Sequence, residues 1–321
     1  MIVAGIDEAG LGPVLGPLVV SSAVFSVPDG LEDQPLWRLL ASAVARKPSR
    51  TKATIAIADS KKLYSRQSKA GITHLERGVL AAVNANGGRC GTFRQLLEHV
   101  APTSLSHADG YPWYRGLDLP LPLAIGSAEP ALAGNALRVA MRNARIELLE
   151  LSAEPILVGE YNRMTGATGN KSVTLMSVAA RLLGRIWSAL RRGRARVLVD
   201  RHGGRSHYLR PLQQIFQGCS MKILTESDTH SAYRITDGGK EMEVRFLVGG
   251  DESELPIALA SMTSKYLREL FMHRFNAWWG EYIPKIAPTA GYHTDGNRFF
   301  EQILPVIHRE GLAEEIIYRC R

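Results

Sequence analysis

Asp7 and Glu8 are adjacent carboxylates at the end of a short apolar run, inside Gly-Ile-Asp-Glu-Ala-Gly-Leu-Gly-Pro-Val-Leu-Gly-Pro at residues 5–17. Burying an unpaired carboxylate costs several kcal/mol, so such a pair implies a cation at that place. Gly10 and Gly12 strip side chains from the backbone just beyond the acids and let a ligand come close. Paired acids beside bare backbone suggest metal ions and a phosphate-bearing substrate. Asp200 closes the run Arg-Val-Leu-Val-Asp, and Asp251 follows two glycines ahead of a helical stretch. Read alone, Asp200 is a turn residue and Asp251 a helix N-cap. Read as a set, such carboxylates at strand ends and helix starts can hold two divalent ions about 4 Å apart, one orienting the attacking water and one stabilising the leaving oxygen. Mg²⁺ suits such work, being hard and oxygen-seeking.

The elements that must position these acids read as a mixed α/β pattern. Strands are expected over residues 1–6, 18–25, 55–58, 155–160 and 196–200, with helices over 36–44, 137–151 and 172–192. Ser65 is set to cap a helix from Arg66 to about Val83, and the basic stretch Arg46–Ala53 reads as an exposed loop. Residues 231–236 and 241–248 alternate around Asp-Gly-Gly-Lys, a hairpin signal, and the Asp251 helix continues to about Phe275. The segment of about 87–133, rich in proline and carrying Tyr111, Trp113 and Tyr114, reads as an irregular insertion. The arginines of residues 185–196 fit either favourable charge at a helix C-terminus or a phosphate track.

The chain of 321 residues carries a formal charge of +8, which favours a polyanionic partner such as nucleic acid. Its three cysteines, Cys90, Cys219 and Cys320, are far apart and show neither a disulfide framework nor metal spacing, so a reducing cytoplasm is expected. No stretch is apolar enough for a membrane span, and the first strand begins at once, without a signal peptide.

Five blocks in order resemble the type 2 ribonucleases H (ribonuclease HII and its relatives). They are residues 5–17, Asp59-Ser60-Lys61-Lys62-Leu63, Val199-Asp200, the run from Gly250-Asp251 through Ile257–Ser261 to Lys265 and Arg268, and Gly291-Tyr292 with Asp295. The resemblance implies one RNase H-like domain over residues 1–321, a mixed sheet flanked by helices, with the irregular insertion at about 87–133 and a β-hairpin insertion at about 205–248. It implies hydrolysis of the RNA strand of RNA–DNA hybrids, or at ribonucleotides embedded in duplex DNA, with Mg²⁺ or Mn²⁺ in a two-ion site and 5′-phosphate and 3′-hydroxyl products. Carried across, Asp7, Glu8, Asp200 and Asp251 are the metal ligands, and Lys61 and Lys265 meet phosphates. Ser261 donates a hydrogen bond nearby. The backbone of Gly10, Leu11 and Gly12 reads the ribose 2′-hydroxyl, and Tyr292 stacks at the junction. Lys61 and Lys62 have a solvated loop as their alternative, Lys265 and Arg268 a helix's solvent face, and Tyr292 a place in the core.

The chain departs from the family pattern in three places. Leu11 stands where the family carries Arg or Lys, Asp200 is followed by Arg201-His202-Gly203-Gly204, and the stretch from Asp200 to Asp251 is long. Trp113, Tyr114, Arg115, Arg234, Lys240 and Arg245 in the insertions could extend a nucleic-acid surface, or serve packing and solubility. His202 and His207, near Asp200, read as surface residues, with a metal site or proton shuttle as the alternative. The alternatives are a relative that binds hybrids without cutting them and another two-metal nuclease on the same fold. No motif speaks to oligomeric state, and a monomer is expected.

Overall fold

The computed structural model describes residues 1–49, 54–65 and 70–320. Strands β1 (Ile2–Ala9), β2 (Leu18–Ser26), β3 (Glu147–Ile156), β4 (Gly193–Asp200), β5 (Ser220–Glu226), β6 (His230–Asp237) and β7 (Lys240–Leu247) form one sheet in the order β3-β2-β1-β4-β7-β6-β5. The β1–β4 and β4–β7 pairs are parallel and the others antiparallel. The helices used below are α1 (Ser60–Leu63), α2 (Thr73–Ala85), α3 (Glu129–Ala144), α4 (Lys171–Ala189), α5 (Gly250–Ser253), α6 (Leu255–Tyr282) and α7 (His293–Arg309). The expected mixed sheet flanked by helices is present. Among the described residues no helix is long and apolar enough to cross a membrane.

Alternation along the strands sorts side chains between two cores. Val3, Val19, Ala23 and Leu198 join α2, α3 and α6 on one face, while Ala4, Ile6, Val20, Val197 and Val199 pack with α4 on the other. Gly5 is where β1 touches α6. A Cβ there would stand 2.1 Å from the Pro256 carbonyl carbon, so only glycine lets the helix lie this close to the strand.

Several expectations are corrected. The first strand does not stop at residue 6: β1 stays paired with β2 as far as Ala9↔Val19, so both acids lie within it. The helix expected over 36–44 is limited to Leu36–Leu39, and the strand expected over 55–58 to Ile55–Ala56. The helix expected over 137–151 ends at Ala144, where Arg145 turns left-handed (φ 56°), and Glu147–Ile156 becomes β3. An open β2 edge supplies hydrogen bonds that local periodicity does not anticipate. The strand expected over 155–160 ends at Ile156, and Val158–Thr168 is helical. The hairpin forms as β6–β7, and β7 sits beside β4 as an integral part of the main sheet. Arg66 to Lys69 and Arg50 to Ala53, which carry parts of the Ser65-capped helix and the basic loop, lie outside the described residues.

The 87–133 stretch is not irregular throughout. It includes the helix Phe93–Val100 and a tight turn at Pro112–Tyr114. Trp113 and Tyr114 are 1% and 2% exposed, Trp113 edge-on to Phe275 and Tyr114 edge-on to Phe271 of α6. These aromatics bind the segment into the core and are not available to stack on a nucleic-acid base. Arg234 and Arg245 pair with Glu243, and Lys240 lies over the Trp187 ring.

Candidate active site

Strand alternation separates the two adjacent acids. Asp7 continues the Val3–Gly5 side and faces α6, whereas Glu8 continues the Ala4–Ile6 side. In the parallel β1–β4 register Ile6 partners Val199, which brings Asp7 and Asp200 to the same level one residue further on. Asp200 Oδ1 accepts the Gly250 N–H at 3.0 Å, tying the end of β4 to the turn that carries Asp251 into α5. Three acids far apart in the chain therefore meet at one end of the sheet.

The site is built from the α6 side by hydroxyls. Ser264 Oγ donates to the Asp7 carbonyl at 3.0 Å and lies 2.8 Å from Ser21 Oγ. Ser261 is 2% exposed, its Oγ donates to Ser60 Oγ at 3.1 Å, and its hydroxyl acts to lower the pKa of the Asp7 carboxylate. Asp7 Oδ1 also accepts the Glu8 N–H at 2.7 Å.

Burial and mutual repulsion shape the charges. Burial, then the charges of Glu8 and Asp200, push Asp7 well above the usual carboxylate range. Burial and the Asp200 charge push Glu8 up to about 7. Burial, then Asp59 and Asp200, push Asp251 up to about 7 as well, and burial also raises Asp200. Lys61 is the compensating cation. Burial works against its charge, but Asp59, Asp251, Asp7 and Asp200 together raise its pKa.

Asp59 is a member of this cluster to which the sequence reading gave no role. It is 8% exposed, caps α1 by accepting the Lys61 N–H at 2.8 Å, and its charge helps raise the Asp251 pKa. The signal was its place in the Asp-Ser-Lys-Lys-Leu block, where the lysine drew attention instead.

The donor set suits a divalent metal. It is all carboxylate oxygen, and Glu8 Oε2 is a buried atom with no hydrogen-bond partner among the described residues. Among those residues no group of three or more His, Cys, Asp or Glu is already closed into a ligand cluster.

The other expected residues are placed as follows. Lys265 Nζ pairs with Glu269 at 2.8 Å and lies over the Tyr64 ring, whose hydroxyl donates to the same carboxylate at 2.7 Å. Arg268 is neither on a solvent face nor turned out to phosphate. It is fully buried, donating to the Leu15 and Ala290 carbonyls. Gly10 has φ 94°, and a Cβ on it would stand 2.5 Å from Arg268 Nε, so it is conformationally and sterically glycine. Gly12 is exposed with open space around it, and Leu11 packs partly buried against the α4-side core. Tyr292 is 49% exposed rather than in the core, its ring 5.6 Å from the Arg268 guanidinium. Asp295, the last residue of the fifth block, braces the turn before it by accepting the Ala290 N–H and the Thr289 hydroxyl. His202 is 2% exposed, packed against Tyr208 and Phe246, and burial with the Arg205 charge lowers its pKa to about 4. The surface position expected for it is therefore wrong, whereas His207 is exposed and paired with Glu226.

No family model and no curated protein matches the chain. Among solved structures, it is similar to ribonuclease HII of Archaeoglobus fulgidus, solved in complex with PCNA, at 16% identity and TM-score 0.45, covering 100% of this chain and 95% of that one. It is similar to ribonuclease H2 of Pyrococcus horikoshii at 16% identity and TM-score 0.45, covering 99% and 92%. A third similar structure is Bst-RNase HIII in complex with Mn²⁺, at 14% identity and TM-score 0.39, covering 94% of this chain and 62% of that one. Identity this low fixes no residue's role. These three solved structures, to which the chain is similar, are thus ribonucleases H of types HII (H2) and HIII.

Proposed function

We propose that the protein is a metal-dependent endoribonuclease acting on RNA–DNA hybrids or on ribonucleotides in duplex DNA. The observation that carries this reading is the convergence of Asp7, Glu8, Asp200 and Asp251, buried or half-buried acids with raised pKa values, on one end of the sheet with Lys61 as their cation. Nothing in folding alone rewards such a cluster, because each acid makes it harder for the others to ionise. Asp7, Glu8, Asp200 and Asp251 would hold two Mg²⁺ or Mn²⁺ ions, which supply charge stabilisation at the phosphate and an activated water, leaving 5′-phosphate and 3′-hydroxyl ends.

The chain's own groups do the rest. Ser264 holds the Asp7 backbone, the Gly250 N–H fixes Asp200, and Asp59 holds the Lys61 backbone while its charge raises the Asp251 pKa. Lys61, on the exposed rim, is placed to meet a backbone phosphate as a point charge. The outward backbone of Gly10–Gly12 offers amides to a 2′-hydroxyl, and half-exposed Tyr292 offers a stacking face. Lys265, already held by Glu269, meets phosphate only at the expense of that pair.

The test uses three labelled duplexes: DNA with one embedded ribonucleotide, a full RNA–DNA hybrid, and all-DNA, each with Mg²⁺, Mn²⁺ or EDTA. Cutting that needs metal and a 2′-hydroxyl is expected. Asp7→Asn and Asp251→Asn should each lower it about a hundredfold or more, since several kcal/mol of charge stabilisation depends on the metal. Full activity in either variant refutes the site. Cutting of all-DNA at equal rate would indicate another two-metal nuclease, and binding without cutting a hybrid-binding relative.

A further inference from the structure

The Gly10–Pro17 loop is held from beneath by a side chain that no sequence block singles out. Arg319 is 1% exposed, with its guanidinium 4.5 Å over the Tyr161 ring. Its Nε donates to the Gly16 carbonyl at 2.8 Å, and its Nη1 to the Gly10 and Pro13 carbonyls at 2.5 and 3.4 Å. Its own N–H donates to the Val14 carbonyl at 2.9 Å, and Tyr318 bridges Leu15 in antiparallel fashion. On the other side, the Gly291 carbonyl accepts the Val14 and Leu15 N–H groups at 2.7 and 3.2 Å. A planar fork of five donors spreads across the three carbonyls with Nε and both Nη atoms, a reach that a compact ammonium point charge lacks.

The consequence lies on the outer surface of the loop. In a trans peptide the carbonyl and the following N–H point in opposite directions. Anchoring the Gly10 carbonyl on Arg319 therefore turns the Leu11 N–H away from the interior. Among the described residues, neither the Leu11 nor the Gly12 N–H donates a hydrogen bond, and Gly12 is open to its surroundings.

The geometry points to Arg319 as a positioning residue for substrate choice, orienting the Gly10–Gly12 backbone so that the Leu11 and Gly12 amides meet the 2′-hydroxyl of a ribonucleotide strand. This rests on the ribonuclease reading above. The test compares the parent with Arg319→Gln and Arg319→Lys by equilibrium binding, with Ca²⁺ replacing Mg²⁺, to a duplex carrying one ribonucleotide and to its all-DNA counterpart. The ratio of the two affinities should fall about three- to tenfold in Arg319→Gln, the equivalent of one hydrogen bond, with all-DNA affinity unchanged. Arg319→Lys, a compact point charge in place of a planar fork, should fall between. An unchanged ratio in both overturns the assignment, and if Arg319→Gln fails to fold, Arg319→Lys decides on the same ratio.

Amide exchange separates this failure from that of the parent reading. Val14 and Leu15 N–H, held by Gly291, should exchange at least tenfold faster in the variants while the β1 amides of Ala4 and Ile6 keep their rates. If the parent shows no preference for the ribonucleotide, the ribonuclease reading has failed and exchange alone judges the clamp: selective acceleration supports it, and equal rates overturn it.

Discussion

Replacing Glu8 by glutamine should stabilise the metal-free protein at alkaline pH, the reverse of what removing a paired buried acid does. Burial and the Asp200 charge lift the Glu8 pKa from 4.5 to about 7, and its Oε2 has no hydrogen-bond partner among the described residues. Ionising it at pH 8 in the folded state therefore costs about 3 kcal/mol relative to the unfolded chain, at about 1.4 kcal/mol per pKa unit. The folded pKa is the higher one, so this burden is full above pH 7 and absent below pH 4.5. Glu8→Gln keeps the shape and removes the charge, and with Asp7 and Asp200 still present the gain should be about 1–3 kcal/mol at pH 8. It should vanish towards pH 4.5. Urea unfolding in EDTA at both pH values reads this directly. Adding Mg²⁺ should narrow or reverse this gap, because the parent gains about 2.7 kcal/mol at a hundredfold excess over its dissociation constant and the variant gains less. A variant that is less stable than the parent in EDTA at pH 8 would refute the view of Glu8 as an uncompensated charge awaiting a cation.

Three further outcomes follow from other parts of the structure. His202, with a folded pKa of about 4 against an ordinary 6.5, takes up its proton only on unfolding between those values, so it lowers stability as pH falls through that window. Between pH 6.5 and 5 the loss is about 2 kcal/mol, read as the difference between the stability–pH curves of the parent and His202→Leu; parallel curves would contradict it. Trp113→Ala should cost about 3–5 kcal/mol in denaturant unfolding, as expected for a core aromatic, and a surface-like loss under 0.5 kcal/mol would mean the 87–133 segment is not built into the core. Gly5→Ala should cost about 1–3 kcal/mol or more and disturb Asp7 through α6, so metal-dependent stabilisation should weaken with it; unchanged melting and metal response would show that the strand and helix do not meet there.

Much of the site was legible in the chain because its chemistry is local. The Asp7–Glu8 pair beside glycines, the Asp-Ser-Lys-Lys-Leu block and the acid after Val-Leu-Val each announce themselves by residue type, and a parallel β1–β4 pair brings two of them level. The sheet class was legible too, through β-branched runs and the Asp-Gly-Gly turn. What the tertiary structure alone decided depends on partners far away in sequence. The residues from Glu147 became a strand because β2 had an open edge, against their helical spacing. Arg268 and His202 were buried by packing that no local pattern encodes. Asp7 and Glu8 were turned to opposite faces because β1 stays paired to Ala9, a fact of register rather than composition. Arg319 reached the glycine loop only because the chain returns to Leu15 at Tyr318. Residue types determine which chemistry is possible, whereas register, burial and returning strands determine which groups are charged, turned outward and near enough to take part.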